Sequence, residues 1–203
     1  MPLKFQFWYD FASPYSYLSA MRIDGLASSA GVEIEWRPFL LGPIFKSQGW
    51  DTSPFNIYEA KGRYMWRDIE RLSAKYGIHF RKPTVFPRNG VLASSVALAS
   101  ESQEWRSVFS KLVFIANFME DRDISDEAVI VSILGSLGEE PVSIIRSALS
   151  EENKGRLRRA TDGAIGRGIF GAPSFVAGDE IFWGNDRLED ALDWCGNRRE
   201  RTG

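Results

Sequence analysis

The sequence predicts an α/β protein whose sheet-forming halves are separated by a long all-helical segment. Three patterns carry this. Leu3, Phe5, Phe7 and Tyr9 alternate with Lys4 and Gln6, as in a strand. Residues 57–166 repeat their apolar side chains at helical spacing, with no clear strand among them. SFVA and EIFW then flank Gly178-Asp179, the signature of a hairpin.

Taken in order, Ser13-Pro14 follows the first strand and reads as an N-cap with proline at the first helical position. A helix over 14–29 carries Tyr17, Leu18, Met21 and Leu26, with Gly31 as its stop. VEIEWRPF (32–39) alternates again, so the first 39 residues form β-α-β with a crossover long enough for parallel strands. Met65, Ile69, Leu72 and Tyr76 mark a helix ended by Gly77, residues 91–101 a second, and Trp105 to Met119 a third. Ser125 is read as the cap of a segment closed by Gly138. Pro141 opens another helix, and 151–166 form the last of the block. After the hairpin, Asn185 is read as the cap of a final helix with Leu188, Ala191, Leu192 and Cys195 on one face.

Composition narrows the function. A net charge of −2 leaves no electrostatic footprint for nucleic acid. The cluster Lys154, Arg156, Arg158, Arg159 follows Glu151 and Glu152 and reads as a solvated helix face. No segment approaches the roughly 20 apolar residues of a membrane span, and the N-terminus lacks the pattern of a signal peptide. One cysteine, Cys195, cannot form an internal disulfide, and one histidine, His79, argues against a zinc site or a Ser-His-Asp triad. A cytoplasmic protein with no metal is the expectation.

The order β-α-β, helices, β-β-α is that of the thioredoxin fold. There the first strand-to-helix junction carries Cys-x-x-Cys and a cis-proline precedes the third strand. Here those places hold Ser13-Pro14-Tyr15-Ser16 and Ala172-Pro173. The expected division is a thioredoxin-like domain of residues 1–45 and 167–203 and a helical insertion of residues 46–166. Disulfide exchange needs a thiolate, which neither Ser13 nor Ser16 supplies.

More closely, the chain resembles the 2-hydroxychromene-2-carboxylate isomerases and kappa-class glutathione transferases, a branch related to the periplasmic disulfide oxidoreductases. The carrying stretches are YDFASPYSYL (9–18), RPFLLGPIFKSQG (37–49), EAKGRYMWRDIERL (59–72), IFGAPSFV (169–176) and FWGNDRL (182–188). The resemblance implies glutathione as the donor of the missing sulfur. It implies that Ser13 stabilises the glutathione thiolate at a helix N-terminus, where the pKa of a thiol is lowered. It implies that the backbone of Ala172, before a cis Pro173, pairs with the cysteinyl residue, and that Asn185 and Asp186 receive the γ-glutamyl group. Lys61 matches the lysine that meets the glycyl carboxylate. Ser16 is read as structural.

One position departs from the pattern. The kappa class has an asparagine after the glycine matching Gly49, and Trp50 stands there, with Asn56 nearby. Phe39, Phe45, Trp50 and Trp183 are candidates for a pocket that takes a flat aromatic substrate, and core packing is the competing reading for each. The family's isomerase activity converts 2-hydroxychromene-2-carboxylate to trans-o-hydroxybenzylidenepyruvate. A kappa-type transferase or peroxidase, or a non-catalytic binding protein, remain open beside it. A homodimer is implied by resemblance alone.

Overall fold

The computed structural model describes residues 5–202, and side chains for residues 5–196; the readings of Leu3 and Lys4 lie outside them. The element order is β1 (Phe5–Tyr9), α1 (Pro14–Ser29), β2 (Ile34–Pro38), α2 (Leu41–Ser47), α3 (Pro54–Ile57), α4 (Glu59–Tyr76), α5 (Val91–Ala99), α6 (Gln103–Phe118), α7 (Glu127–Ser136), α8 (Pro141–Ala148), α9 (Glu151–Gly166), β3 (Ser174–Ala177), β4 (Glu180–Trp183) and α10 (Leu188–Thr202). A single turn of 3-10 helix, Asn185–Arg187, precedes α10.

The sheet has the order β2-β1-β3-β4. β1 runs parallel to β2 and antiparallel to β3, with Phe7 opposite Trp36 on one side and Phe175 on the other. β1 lies inside the sheet and is covered on both faces. That is why every residue of Phe5–Tyr9 is buried although the sequence alternates. Phe5, Phe7 and Tyr9 face the large core shared with α1, α6 and α10. Trp8 faces a smaller cluster of Phe39, Ile44, Ala164, Ile169 and Val176, built by α2 and α9. Gln6 donates to Glu35 at 2.7 Å and accepts the Trp8 indole N–H at 3.0 Å, so the polar member of the strand is satisfied.

The turn signals act as expected of their residue types. Gly77 (φ 67°) and Gly138 (φ 75°) adopt the left-handed conformation that ends α4 and α7. Gly178 (φ 68°) closes the β3–β4 hairpin, in which Ser174 faces Trp183. Lys154 and Arg156 pair with Glu151 and Glu101 at the surface.

Two capping assignments are corrected. α7 is capped by Asp126, whose carboxylate accepts the Ala128 N–H at 2.9 Å; the Ser125 hydroxyl is already committed as a donor to Asp123. Asn185 caps nothing. Its side chain turns inward to accept the Ser19 hydroxyl at 3.0 Å and Arg22 Nη1 at 3.4 Å, and α10 begins three residues later.

Candidate active site at the α1 N-terminus

The loop from Asp10 to Ser13 is short and heavily bonded. The Ser13 N–H donates to the Asp10 carbonyl at 3.0 Å. The Asp10 carboxylate is fully buried and accepts the Ala12 N–H and the Leu41 N–H, each at 2.7 Å. It thereby joins the loop to the first turn of α2. Burial pushes the Asp10 pKa up, and the two N–H bonds oppose that shift. Sequence reasoning passed over Asp10; an aspartate two residues before a free N–H is an Asx-turn signal that points to it.

Ser13 is 6% exposed and its hydroxyl has two partners. It accepts the Ser16 N–H at 3.1 Å, as the cap of α1, and donates to the Ala172 carbonyl at 2.8 Å. This second bond spans 159 residues and clamps the two halves of the sheet domain together at the site. The Ala172-Pro173 peptide bond is cis. The Pro173 carbonyl accepts the Gly184 N–H at 3.0 Å, which sets the Asn185–Arg187 turn beside this loop.

Several donors here have no acceptor among the described residues, and three of them matter to the junction and the cis-proline loop. They are the Tyr15 N–H in the first turn of α1, the Ala172 N–H, and the buried Asn185 Nδ2. A helix N-terminus with free N–H groups is suited to an anion, and an unpaired N–H before an extended segment is suited to a peptide backbone. The Ser16 hydroxyl is buried with no partner.

Tyr15 links the other predicted residues. Its hydroxyl donates to Asp68 of α4 at 2.9 Å. Burial, then the hydrogen bond to Asp68 and the charges of Asp68, Tyr64 and Asp186, raise its pKa. The Tyr15 ring lies 6.4 Å from that of Phe55, which is 6.0 Å from Lys61 Nζ. Ser13 and Ala172 are thus joined directly, the Pro173–Gly184 bond brings the chain that continues into Asn185 and Asp186 beside them, and Lys61 stands at the edge of the group through Phe55. Lys61 immediately precedes a tight contact: a Cβ at Gly62 would fall 2.2 Å from the Phe55 carbonyl oxygen.

The aromatic candidates separate. Phe39 is fully buried in the smaller core cluster, 6.0 Å from the Trp8 ring, and presents no face to a ligand. Phe45 and Trp50 pack on each other at 6.0 Å. Trp183 is 53% exposed, lies 4.8 Å from Phe170, and keeps its indole nitrogen against Gly171, beside the Ala172-Pro173 bond. Asn56 donates to Thr52 and to the Phe86 carbonyl at 3.2 and 3.3 Å.

Among the described residues no group of three or more His, Cys, Asp or Glu side chains could hold a metal, and no helix is long and apolar enough to cross a membrane. Cys195 is buried in α10, inside the main core. The fold and site therefore define a class: thioredoxin-fold proteins that keep the junction and the cis-proline loop but place no cysteine at either. The DSBA-like thioredoxin domain matches residues 4–193, and the chain belongs to that family, in the branch of the 2-hydroxychromene-2-carboxylate isomerases and kappa-class glutathione transferases. It is 30% identical over 192 residues to a 2-hydroxychromene-2-carboxylate isomerase of Sphingobium xenophagum, covering 93% of this chain and 96% of that one. It is 25% identical to glutathione S-transferase kappa 1 of Rattus norvegicus over 93% of this chain and 88% of the relative. A solved 2-hydroxychromene-2-carboxylate isomerase superposes with a TM-score of 0.89 at 26% identity, covering 98% and 97% of the two chains.

Proposed function

We propose that the protein is a glutathione-dependent isomerase of 2-hydroxychromene-2-carboxylate or of a similar intermediate of aromatic breakdown. The observation that carries this reading is the Ser13 hydroxyl at the N-terminus of α1, bonded to Ala172 in a site without a cysteine. The site has the donors a thiol peptide requires and lacks the sulfur. The relatives named above support isomerisation as the reaction.

The residues present fit glutathione. The unpaired Ala172 N–H would take its cysteinyl carbonyl. Asn185 Nδ2 and the N–H groups of the turn at Asp186 would take the γ-glutamyl carboxylate, Asp186 its ammonium, and Lys61 the glycyl carboxylate. When bound, glutathione would supply a thiolate whose addition to a conjugated carbon turns the carbon–carbon double bond into a single bond free to rotate, and whose elimination restores the double bond and the thiolate.

What the chain contributes is electrostatic. The unpaired N–H of Tyr15 and the macrodipole of α1 favour negative charge at the junction. Ser13 turns its proton from the Ala172 carbonyl towards the sulfur and lowers the cost of ionising it. The exposed Trp183–Phe170 pair provides an apolar wall for a flat acceptor.

Turnover of 2-hydroxychromene-2-carboxylate is expected to require glutathione and to fall with Ser13→Ala. Full activity of the Ser13→Ala protein without glutathione would reject the mechanism. The rat kappa-class relative supports a second reading, transfer of glutathione to another electrophile or reduction of a hydroperoxide. Product identification over a panel of acceptors separates the two, and absence of binding to millimolar glutathione by calorimetry would reject both.

A further inference from the structure

The loop that carries Ser13 is pinned from the helical segment by a chain of buried polar groups. Asn117, 1% exposed in the last turn of α6, donates its Nδ2 to the Phe11 carbonyl at 2.9 Å. Its own carbonyl and Oδ1 both accept Arg88 Nη1, at 3.2 and 3.1 Å. The other end of the buried Arg88 guanidinium bonds Thr84 Oγ1 at 3.4 Å, the Asp121 carbonyl at 3.1 Å and the Asp121 carboxylate. Asp121 is anchored in turn: it holds a left-handed conformation (φ 58°), and the Thr84 N–H and hydroxyl donate to its carboxylate at 2.9 and 3.2 Å. The same coil meets the Ser13 loop sterically, since a Cβ at Gly90 would lie 3.1 Å from Phe11 Cβ.

Packing alone does not ask for this arrangement. A Leu or Met fills a position like Asn117 without burying an amide and a guanidinium, which are costly unless every group is bonded, and here the buried Arg88 Nε has no partner among the described residues. The one donor aimed at the loop meets the carbonyl two residues before Ser13. On the other side of that carbonyl, Asp10 holds the N–H of Ala12. The loop therefore has one pin on each side, Asp10 from β1 and Asn117 from α6.

We propose that Asn117 is a positioning residue for Ser13, with Arg88 anchored on Asp121 as its support, so that the helical segment sets the direction of the active-site hydroxyl. Its catalytic consequence rests on the glutathione reading of the site.

Asn117→Asp tests this. It keeps an acceptor for Arg88 and preserves volume, while the donor to Phe11 is replaced by a carboxylate oxygen that repels the Phe11 carbonyl and whose charge faces the Arg88 guanidinium. In the ligand-free protein, amide hydrogen exchange over residues 11–16 is expected to accelerate while the rest of the sheet stays protected. Turnover is expected to fall about 10- to 100-fold, the loss typical of a misplacement near 1 Å. The KM for glutathione is expected to move by less than about threefold, because its two ends are held elsewhere. The pKa of the bound glutathione thiol, read from thiolate absorbance against pH, is expected to rise towards the roughly 8.5 of an unperturbed cysteine. Arg88→Lys, which cannot reach both Asn117 and Asp121, is expected to reproduce the exchange and thiol changes more weakly. It also serves if Asn117→Asp does not fold. Unchanged exchange over 11–16 in either folded variant overturns the proposal, whether or not glutathione binds. Faster exchange with unchanged thiol pKa and turnover overturns the positioning role and leaves the pair as a stabilising contact. Failure of the unmodified protein to bind glutathione instead rejects the functional reading, and the exchange experiment still decides whether Asn117 pins the loop.

Discussion

Removing the Ser13 hydroxyl separates two consequences that one side chain combines. Ser13→Ala deletes an N-cap, worth about 0.5–2 kcal/mol. It also deletes the donor to the half-buried Ala172 carbonyl, worth about 0.5–1.5 kcal/mol as an ordinary neutral bond. The protein should lose about 1–3.5 kcal/mol, a drop in Tm of about 2–14 °C for a chain of this length. Ser13→Gly removes the same hydroxyl, but glycine at an N-cap is only a few tenths of a kcal/mol worse than serine. Its stability loss should therefore be smaller by about 0.5–1.5 kcal/mol. Activity should not follow that order. Both variants lose the hydrogen bond to a charged sulfur, about 1.5–3 kcal/mol, so both should lose about 10- to 150-fold in kcat/KM. Urea unfolding and glutathione-dependent turnover, measured side by side, provide the two readouts. If activity tracked stability across the pair, the hydroxyl would be a cap only. If Ser13→Ala unfolded at the urea concentration of the unmodified protein, the two observed bonds would be energetically empty and the geometry misread.

Asn185→Ala leaves the Ser19 hydroxyl and Arg22 without their shared acceptor and should destabilise the protein by about 1–3 kcal/mol in urea unfolding; no change would mean that α1 and the 185–187 turn repack freely. Gly62→Ala drives a methyl into the Phe55 carbonyl and should cost about 1–3 kcal/mol by the same assay, with weaker glutathione binding because Phe55 and Lys61 shift together. Hydrogen bonds from Thr84 and then Arg88 depress the Asp121 pKa below its ordinary value of 3.8. Its stabilising contribution is therefore present above that value and lost as pH falls through the depressed one. Asp121→Asn should remove that part of the acid dependence, flattening the stability profile below about pH 4 relative to the unmodified protein. An unaltered acid limb would contradict the assignment.

Elements whose signal is periodic or terminal were readable. The alternation of β1, the Ser-Pro start of α1, the left-handed glycines after α4 and α7 and the Gly-Asp hairpin are local, and the sequence states them within a few residues. α2 and α3 are different: at seven and four residues they are too short to show a repeat, and their place is set by the Asp10 carboxylate and by a cap at Ser53. Asn185 reads locally as a cap, yet its partners Ser19 and Arg22 lie more than 160 residues away. The same holds for Phe39, whose aromatic ring suits a pocket by type and fills the core by position. Resemblance could propose Ser13, Ala172 and Asp186. It could not supply Asp10, Asn117 and Arg88, because a polar network is defined by what each group meets across the fold, and that has no period.

The bond between Ser13 and Ala172 shows how such a site can be held ready without a sulfur. In a redox protein of this fold a thiolate at the α1 N-terminus would itself consume the positive end of the helix. Here a neutral hydroxyl stands there and leaves the first-turn N–H of Tyr15 unpaired. A free hydroxyl would adopt several rotamers; this one is fixed by giving its proton to a carbonyl and taking the Ser16 N–H. That carbonyl belongs to the residue whose N–H is free to receive a peptide, so ligand docking at Ala172 and reorientation of the Ser13 proton would act on the two amide groups that flank one Cα. Exchange of a neutral acceptor for a charged one is downhill, since hydrogen bonds to charged groups are roughly twice as strong. On the proposed reading, the chain would keep the electrostatics of a thiol site in a form that is stable when the thiol is absent, with the buried bonds of Asp10 and Asn117 bracing that exchange.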